Sequence, residues 1–271
     1  MSSNNQAAGQ DKAVLDQNNP YQGKFSEKNF SAFTVPNHNA KIIRESIENN
    51  TAPFLPDESG IIKTKPIYNG NTGWVLDAKD LIPLQIEQGD RSNIVVTFNT
   101  VNNAGTLIKK DEKGFPYIFK REDNTFGTSN YYFLEQTENP ELVKSKVYGK
   151  IVQTEKKQLP ESVIEIKSAE PEEYLGAYVA GCTNKATVKV SPEIAEQFKQ
   201  NILPILKNQT VRNDKNKEIP SISDLMYKAA TRAIQINKEI HADVQKSQQQ
   251  AKSQEQMPQK KQHKEVERDF S

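Results

Sequence analysis

Two periods of apolar residues alternate along this chain, and residues 94–119 show both in quick succession. The β-branched run Ile94, Val95, Val96 predicts a short strand. Directly after it Phe98, Val101 and Ala104 recur at helical spacing. Thr97 is placed to cap that helix and Gly105 to end it in the left-handed region. Residues 106–110 predict a strand with its polar edge outward. Asp111, Glu112, Lys113 and Gly114 predict a turn in which Gly114 takes positive φ. Residues 115–119 alternate Phe, Tyr and Phe with Pro and Ile, as a half-buried return strand does. The expected unit is strand, short helix and hairpin, with Lys109, Lys110 and Lys113 at the tip beside aromatic residues.

The same reading extends in both directions. Residues 1–37 are rich in Asn, Gln, Ser and Gly with scattered aromatics, and predict a disordered arm. Asn39 predicts a helix cap before 40–49, where Ile43 and Ile47 form a stripe that Ile42 broadens; Pro53 follows its end. Turn chemistry over 68–73 delivers Trp74 into a segment packed by Leu76, Leu81, Ile82 and Leu84. Residues 129–134 predict a strand with Tyr131 and Phe133 on one face and Tyr132 on the other. Residues 147–152 and 163–167 read as strands, and 174–180 and 186–190 follow around a glycine-containing corner. Ser191, Pro192 and Glu193 open a helix that turns Ile194, Phe198, Ile202 and Leu206 inward. Ser221 or Ser223 caps a last helix with Leu225, Ala229, Ala233, Ile236 and Ile240 on one face. The expected fold class is α+β: a small mixed sheet with short helices over 38–144, a smaller α/β or helical region over 145–242, and a polar tail over 243–271.

Composition narrows the function. Only 35% of the 271 residues are hydrophobic and the mean hydropathy is −0.78, so part of the length is expected to lack a packed core. A net charge of +1 gives no global pull toward nucleic acid, so any polyanion site must be a local patch. The single cysteine, Cys182, sits among small residues and reads as a buried side chain rather than a nucleophile. No apolar run approaches the roughly 20 residues of a membrane span, and the first residues lack the apolar core of a signal peptide. The expected location is the cytoplasm, with no membrane partner. His38, His241 and His263 do not stand four residues from one another, so the H-E-x-x-H pattern of a zinc peptidase is absent. G-x-x-x-x-G-K-[ST] and G-x-S-x-G are absent too. The expectation is a non-enzymatic protein with no cofactor and no metal.

Residues 97–119, T-F-N-T-V-N-N-A-G-T-L-I-K-K-D-E-K-G-F-P-Y-I-F, resemble the T-F-x-x-A-x-x-x-G-x-x-V-x-K-G-E-K-G-x-x-V-x-F stretch of ArdC-type antirestriction proteins. It lies in their N-terminal single-stranded-DNA-binding domain, which also occurs in conjugative primases and polyvalent proteins of mobile elements. Two flanking pieces agree in order: N-T-A-P-F over 50–54 is similar to G-T-A-P-W, and Y-F-L-E-Q-T over 132–137 to V-F-N-V-E-Q. Asp111 replaces the first glycine of K-G-E-K-G, and the family's Y-x-G-x-N motif is not recognisable in 74–80. The zincin-like second domain of full-length ArdC proteins has no counterpart motif here.

The resemblance implies a sequence-tolerant binder of single-stranded DNA that serves a mobile or conjugative element, either coating the entering strand or protecting it from restriction. Lys109, Lys110 and Lys113 would track phosphates, and Trp74 or Tyr132 would stack on bases. Residue pattern alone leaves a second reading open at each position. Lysines also blunt exposed strand edges, and Trp74 or Tyr132 can be core anchors. The other function class is an interaction or scaffold protein that docks a conjugation or replication partner through its C-terminal helices, 192–207 and 221–242.

Overall fold

The computed structural model describes residues 34–208, 210–212 and 218–255 and is α+β. The first helix, α1 (Thr34–Glu48), starts five residues before Asn39, which therefore lies inside it rather than capping it. Ile43 and Ile47 are buried as their spacing predicts. A loop carrying Phe54 leads to β1 (Ile61–Ile62), then β2 (Tyr68–Asn69) and α2 (Ala78–Gln88). Leu76, Leu81, Ile82 and Leu84 are all buried there. Strand β3 (Ile94–Thr97) runs straight into α3 (Phe98–Asn103). Gly105 takes φ 79° at the end of α3, as expected. Thr97 occupies the N-cap position, but its hydroxyl faces those of Thr100 and the Asn71 amide instead of a helix N–H.

The hairpin differs from the expected one. Residues 106–110 form no strand; a single bridge joins Ile108 to Thr137. Asp111, at φ 66°, takes the left-handed position in the following turn. Gly114 is needed for space: a Cβ there would lie 2.6 Å from Asn130 and 2.7 Å from the Tyr132 ring. Strand β4 (Phe115–Lys120) pairs forward with β5 (Phe126–Phe133), not backward. The turn between them is set by the Asp123 carboxylate, which accepts from the Thr125 N–H and hydroxyl, and by Asn124 at φ 64°.

Strand order in the larger sheet is β2-β3-β5-β4, with β2 and β3 parallel and the other pairs antiparallel. Alternation along the strands splits the aromatic residues between its faces. Val95, Tyr131 and Phe133 join the main core with α1 and α2, and Phe115 and Tyr117 pack against it. Ile94, Val96 and Leu134 face a second cluster with α3 and with α4 (Pro140–Glu155). Residues 147–152, expected as a strand, belong to α4. Asn139 accepts from the Leu142 N–H, Pro140 opens the helix, and Val143, Val147 and Ile151 bury at a spacing of four.

A smaller sheet, β1-β7-β6, is built from β6 (Val163–Ile166), a crossover helix α5 (Pro171–Asn184) and the parallel β7 (Thr187–Val190), with β1 antiparallel to β7. Residues 174–180, read as part of a glycine-containing corner, are the buried middle of α5. Gly176 admits Arg232 and Ala229 of the last helix against α5. Helix α6 (Pro192–Lys207) begins as predicted, with the Ser191 hydroxyl accepting from the Ile194 N–H, and buries Phe198, Ile202 and Leu206. A small ribbon, β8 (Thr210–Arg212) with β9 (Glu218–Pro220), precedes α7 (Ser221–Glu255). Leu225, Ala229, Ala233 and Ile236 are buried; Ile240 packs at the edge. The helix continues to Glu255, so the start of the expected polar tail is a helical extension, while 1–33 and 256–271 lie outside the described residues.

One core cluster takes residues from Ala40 through Ile236 and so crosses the expected boundary at 144. Cys182 is fully buried in it, beside the Gln85 amide, and burial pushes its thiol up to about 11. No described helix is long and apolar enough to cross a membrane.

Candidate nucleic-acid interface

The face of the larger sheet that carries Tyr131 and Phe133 also carries Phe115, Tyr117 and Phe119, in two groups of contacting rings. Phe133 meets Phe115 edge-on at 5.3 Å, Tyr131 stacks on Tyr117 at 3.9 Å, and Tyr117 lies 6.0 Å from Phe119. Phe133 is fully buried and Phe119 is 37% exposed. Phe119 lies across Gly127, where any Cβ would come within 2.7 Å of the ring. At this end the sheet borders a cleft whose other margin is Trp74, 56% exposed. The turn before Trp74 fixes it there: Gly73 sits at φ 79° against the backbone of Lys150, and the Lys150 ammonium donates to the Asn71 carbonyl at 2.6 Å.

The two exposed rings at this cleft each have a cation over them. Lys157 Nζ is 5.3 Å from the centroid of Trp74, and the Arg121 guanidinium carbon is 6.0 Å from that of Phe119. Phe126, 62% exposed, stands on the opposite sheet face at the hairpin tip, paired with Lys120.

The cleft is also lined by Asn69, Thr72, Asp77, Lys79, Asp80, Tyr117 and Tyr131. Lys79 Nζ donates to the Ile118 carbonyl at 3.3 Å and lies 3.7 Å from the Asp77 carboxylate and 3.6 Å from that of Asp80. Burial alone would lower the Lys79 pKa; Asp80 and then Asp77 outweigh it and hold the ammonium charged. Burial pushes Asp80 up to about 7 despite the pull of that ammonium. Asp77 occupies the N-cap position of α2 yet makes no capping hydrogen bond with its side chain. Burial raises the Tyr131 hydroxyl as well, so it stays neutral and takes a hydrogen bond from the Asn69 amide at 3.5 Å.

Asp80 gives the fold a pH dependence of definite sign. Its folded pKa, about 7, lies above the roughly 3.9 of an unfolded chain, so its contribution is fully present below about pH 4 and is lost as pH rises through 7. The urea midpoint of Asp80→Asn is therefore expected to fall less than that of the wild type between about pH 5 and about pH 8. Equal falls in the two proteins would assign the dependence to other groups. His38, raised by its bond to Glu87, titrates in the same sense in both.

Of the five candidate DNA-contact residues, Lys109, Lys110, Lys113, Trp74 and Tyr132, only Trp74 lines this cleft. Lys109, Lys110 and Lys113 are exposed, but they belong to the loop before β4, whereas the cleft is at the far end of that strand. The five steps along β4 from Phe115 to Lys120 separate the two ends, roughly 17 Å at about 3.4 Å each. Lys113 instead borders a second hollow with His38, Glu87, Arg91, Glu112 and Phe115. Tyr132 is half-buried on the α3 and α4 side, under Gly114, and packs against the second cluster. Tyr132 is not among the residues that line the cleft with Trp74. Phe119, Lys79, Asp77, Arg121 and Lys157 were not singled out by sequence reading. An exposed aromatic followed within two residues by arginine was the one local signal. Among the described residues no group of three or more His, Cys, Asp or Glu could hold a metal ion.

No family model matches the chain, and no curated protein does. Among solved structures, the antirestriction protein ArdC from plasmid R388, in a metal-free crystal structure, is similar at a TM-score of 0.45 and 13% identity. The match covers 74% of this chain and 96% of that one. A likeness this distant carries no function across.

Proposed function

We propose that the protein binds single-stranded DNA with little sequence preference, through the aromatic end of the larger sheet. The observation that carries this reading is the pair of exposed rings across one cleft, Trp74 and Phe119, each with a cation poised over it. Aromatic faces stack on any base, and lysine or arginine released from a ring can move to a phosphate; together they make a sequence-tolerant single-strand site. The resemblance over 50–54, 97–119 and 132–137 supplies the setting: a mobile or conjugative element whose entering strand is coated and kept from restriction. No catalytic step, cofactor or metal enters this reading.

The test is a titration of single- and double-stranded DNA at several salt concentrations. The single strand is expected to bind more tightly, with log affinity falling by about 0.7 per log unit of salt for each phosphate neutralised. If Lys109, Lys110 and Lys113 each hold a phosphate, changing all three to Ala flattens that slope by roughly 2. An unchanged slope assigns the phosphate contacts to Lys120, Arg121 and Lys157. Absence of binding to a single strand even at low salt would overturn the proposal.

A scaffold role has one observation in its favour. The apolar stripes of α6 and α7 are used inside the fold, but α7 leaves Tyr227 and Ile234, 74% and 56% exposed, on another face. A conjugation or replication protein that docks there would be captured by the wild type and not by Tyr227→Ala/Ile234→Ala.

A further inference from the structure

We propose that the Trp74–Phe119 cleft is a base pocket that prefers a nucleobase carrying an exocyclic amine over one whose edge carries carbonyls; this rests on the single-strand reading above. The walls suit a flat ring: an indole and a phenyl at the margins and the Tyr117–Tyr131 stack beneath. The polar groups do not suit a phosphate. Two carboxylates, Asp77 and Asp80, lie within 3.7 Å of the cleft's one ammonium and neutralise it. A phosphate entering here would meet carboxylate charge, whereas the cations left for phosphates, Arg121 and Lys157, are not among the groups lining the cleft.

What a carboxylate does accept is an N–H. Asp77 is half-exposed at the mouth, holds no helix N–H, and has Lys79 as its ion-pair partner. Asp77 and Lys79 therefore present an acceptor and a donor side by side. Cytosine offers the matching pair, its N4 amine beside the N3 lone pair, and adenine offers N6 beside N1. An aspartate accepting from cytosine N4 is a recognised form of base readout. Thymine and uracil can set N3–H on Asp77 and O4 on Lys79, but their second carbonyl, O2, then presses against the carboxylate, a repulsion that cytosine and adenine avoid. Asp80, deeper and held near neutrality by burial, closes the floor without adding full charge.

The experiment compares oligo-dC with oligo-dU of equal length, at neutral pH and one salt concentration, using the full chain. The two strands share backbone and ring size and differ at the C4 substituent and the N3 proton it dictates. Oligo-dC is expected to bind about 10-fold more tightly, the low end of what one good base-edge contact gives. In Asp77→Asn, which keeps a residue favoured at an N-cap, the amide can donate as well as accept. Oligo-dU affinity should then rise toward that of oligo-dC, leaving a gap of no more than about 2-fold. Equal binding of the two strands by the wild type, or a gap that survives Asp77→Asn, overturns the base pocket and leaves the single-strand function standing. Binding of neither strand at low salt overturns both.

Discussion

Trp74→Ala and Phe119→Ala are each expected to weaken single-strand binding by about 1–3 kcal/mol and to leave the salt dependence nearly unchanged. Stacking contributes affinity without releasing counterions, so its loss shifts the whole titration without tilting it. The two rings line one cleft and can hold the same base, so the double variant is expected to lose less than the sum of the two. Trp74 is 56% exposed, and truncation away from buried features usually changes stability by under about 0.5 kcal/mol; Phe119, 37% exposed and packed across Gly127, is expected to lose somewhat more. Tyr132→Ala is the control that separates binding from folding. Its ring is half-buried beneath Gly114 and against the second cluster, so its loss should lower the urea midpoint. Fluorescence titration of labelled strands, read beside urea unfolding of each variant, checks these expectations. Wild-type affinity in the Trp74 and Phe119 variants would remove the cleft from the site.

Much of the local structure was legible because short-range chemistry settles it. Ile94, Val95 and Val96 form a strand whatever they pair with, Gly105 relieves a left-handed turn, and Ser191 with Pro192 starts a helix without outside help. Pairing was not legible, because it depends on residues far along the chain. Residues 106–110 have the composition of a strand, but β4 takes β5 as its partner and the segment makes only the single Ile108–Thr137 bridge. Residues 147–152 carry β-branched side chains, and the Asn139 cap with the stripe Val143, Val147, Ile151 overrides that preference. The site suffered most from this limit. Trp74 and Phe119 are 45 positions apart in the sequence, and Lys79 reaches Ile118 over 39. No spacing rule joins such residues; the sheet register does, by placing Phe119 opposite Gly127 and beyond the Tyr117–Tyr131 stack.

Phe54→Ala is expected to cost about 3–5 kcal/mol, as truncation of a fully buried aromatic does. The residue stands in the N-T-A-P-F piece, in a loop, where sequence alone leaves its role open. In the fold its ring meets Tyr178 of α5 edge-on at 6.1 Å and Phe198 of α6 at 5.9 Å. Phe198 in turn stacks on Tyr174 at 3.8 Å, and the Tyr174 hydroxyl donates to the Phe54 carbonyl at 3.1 Å. One loop residue thus ties the segment after α1 to two helices more than a hundred positions away. Against a typical net stability of about 5–15 kcal/mol, the loss is a large fraction of the whole. Tyr174→Phe keeps the rings and removes the hydrogen bond, so it should cost nearer 1 kcal/mol. The carbonyl it leaves buried sets the upper end of that cost. Urea unfolding of the two variants beside the wild type separates ring packing from the hydrogen bond. A loss below about 1 kcal/mol for Phe54→Ala would mean that the loop does not anchor these helices.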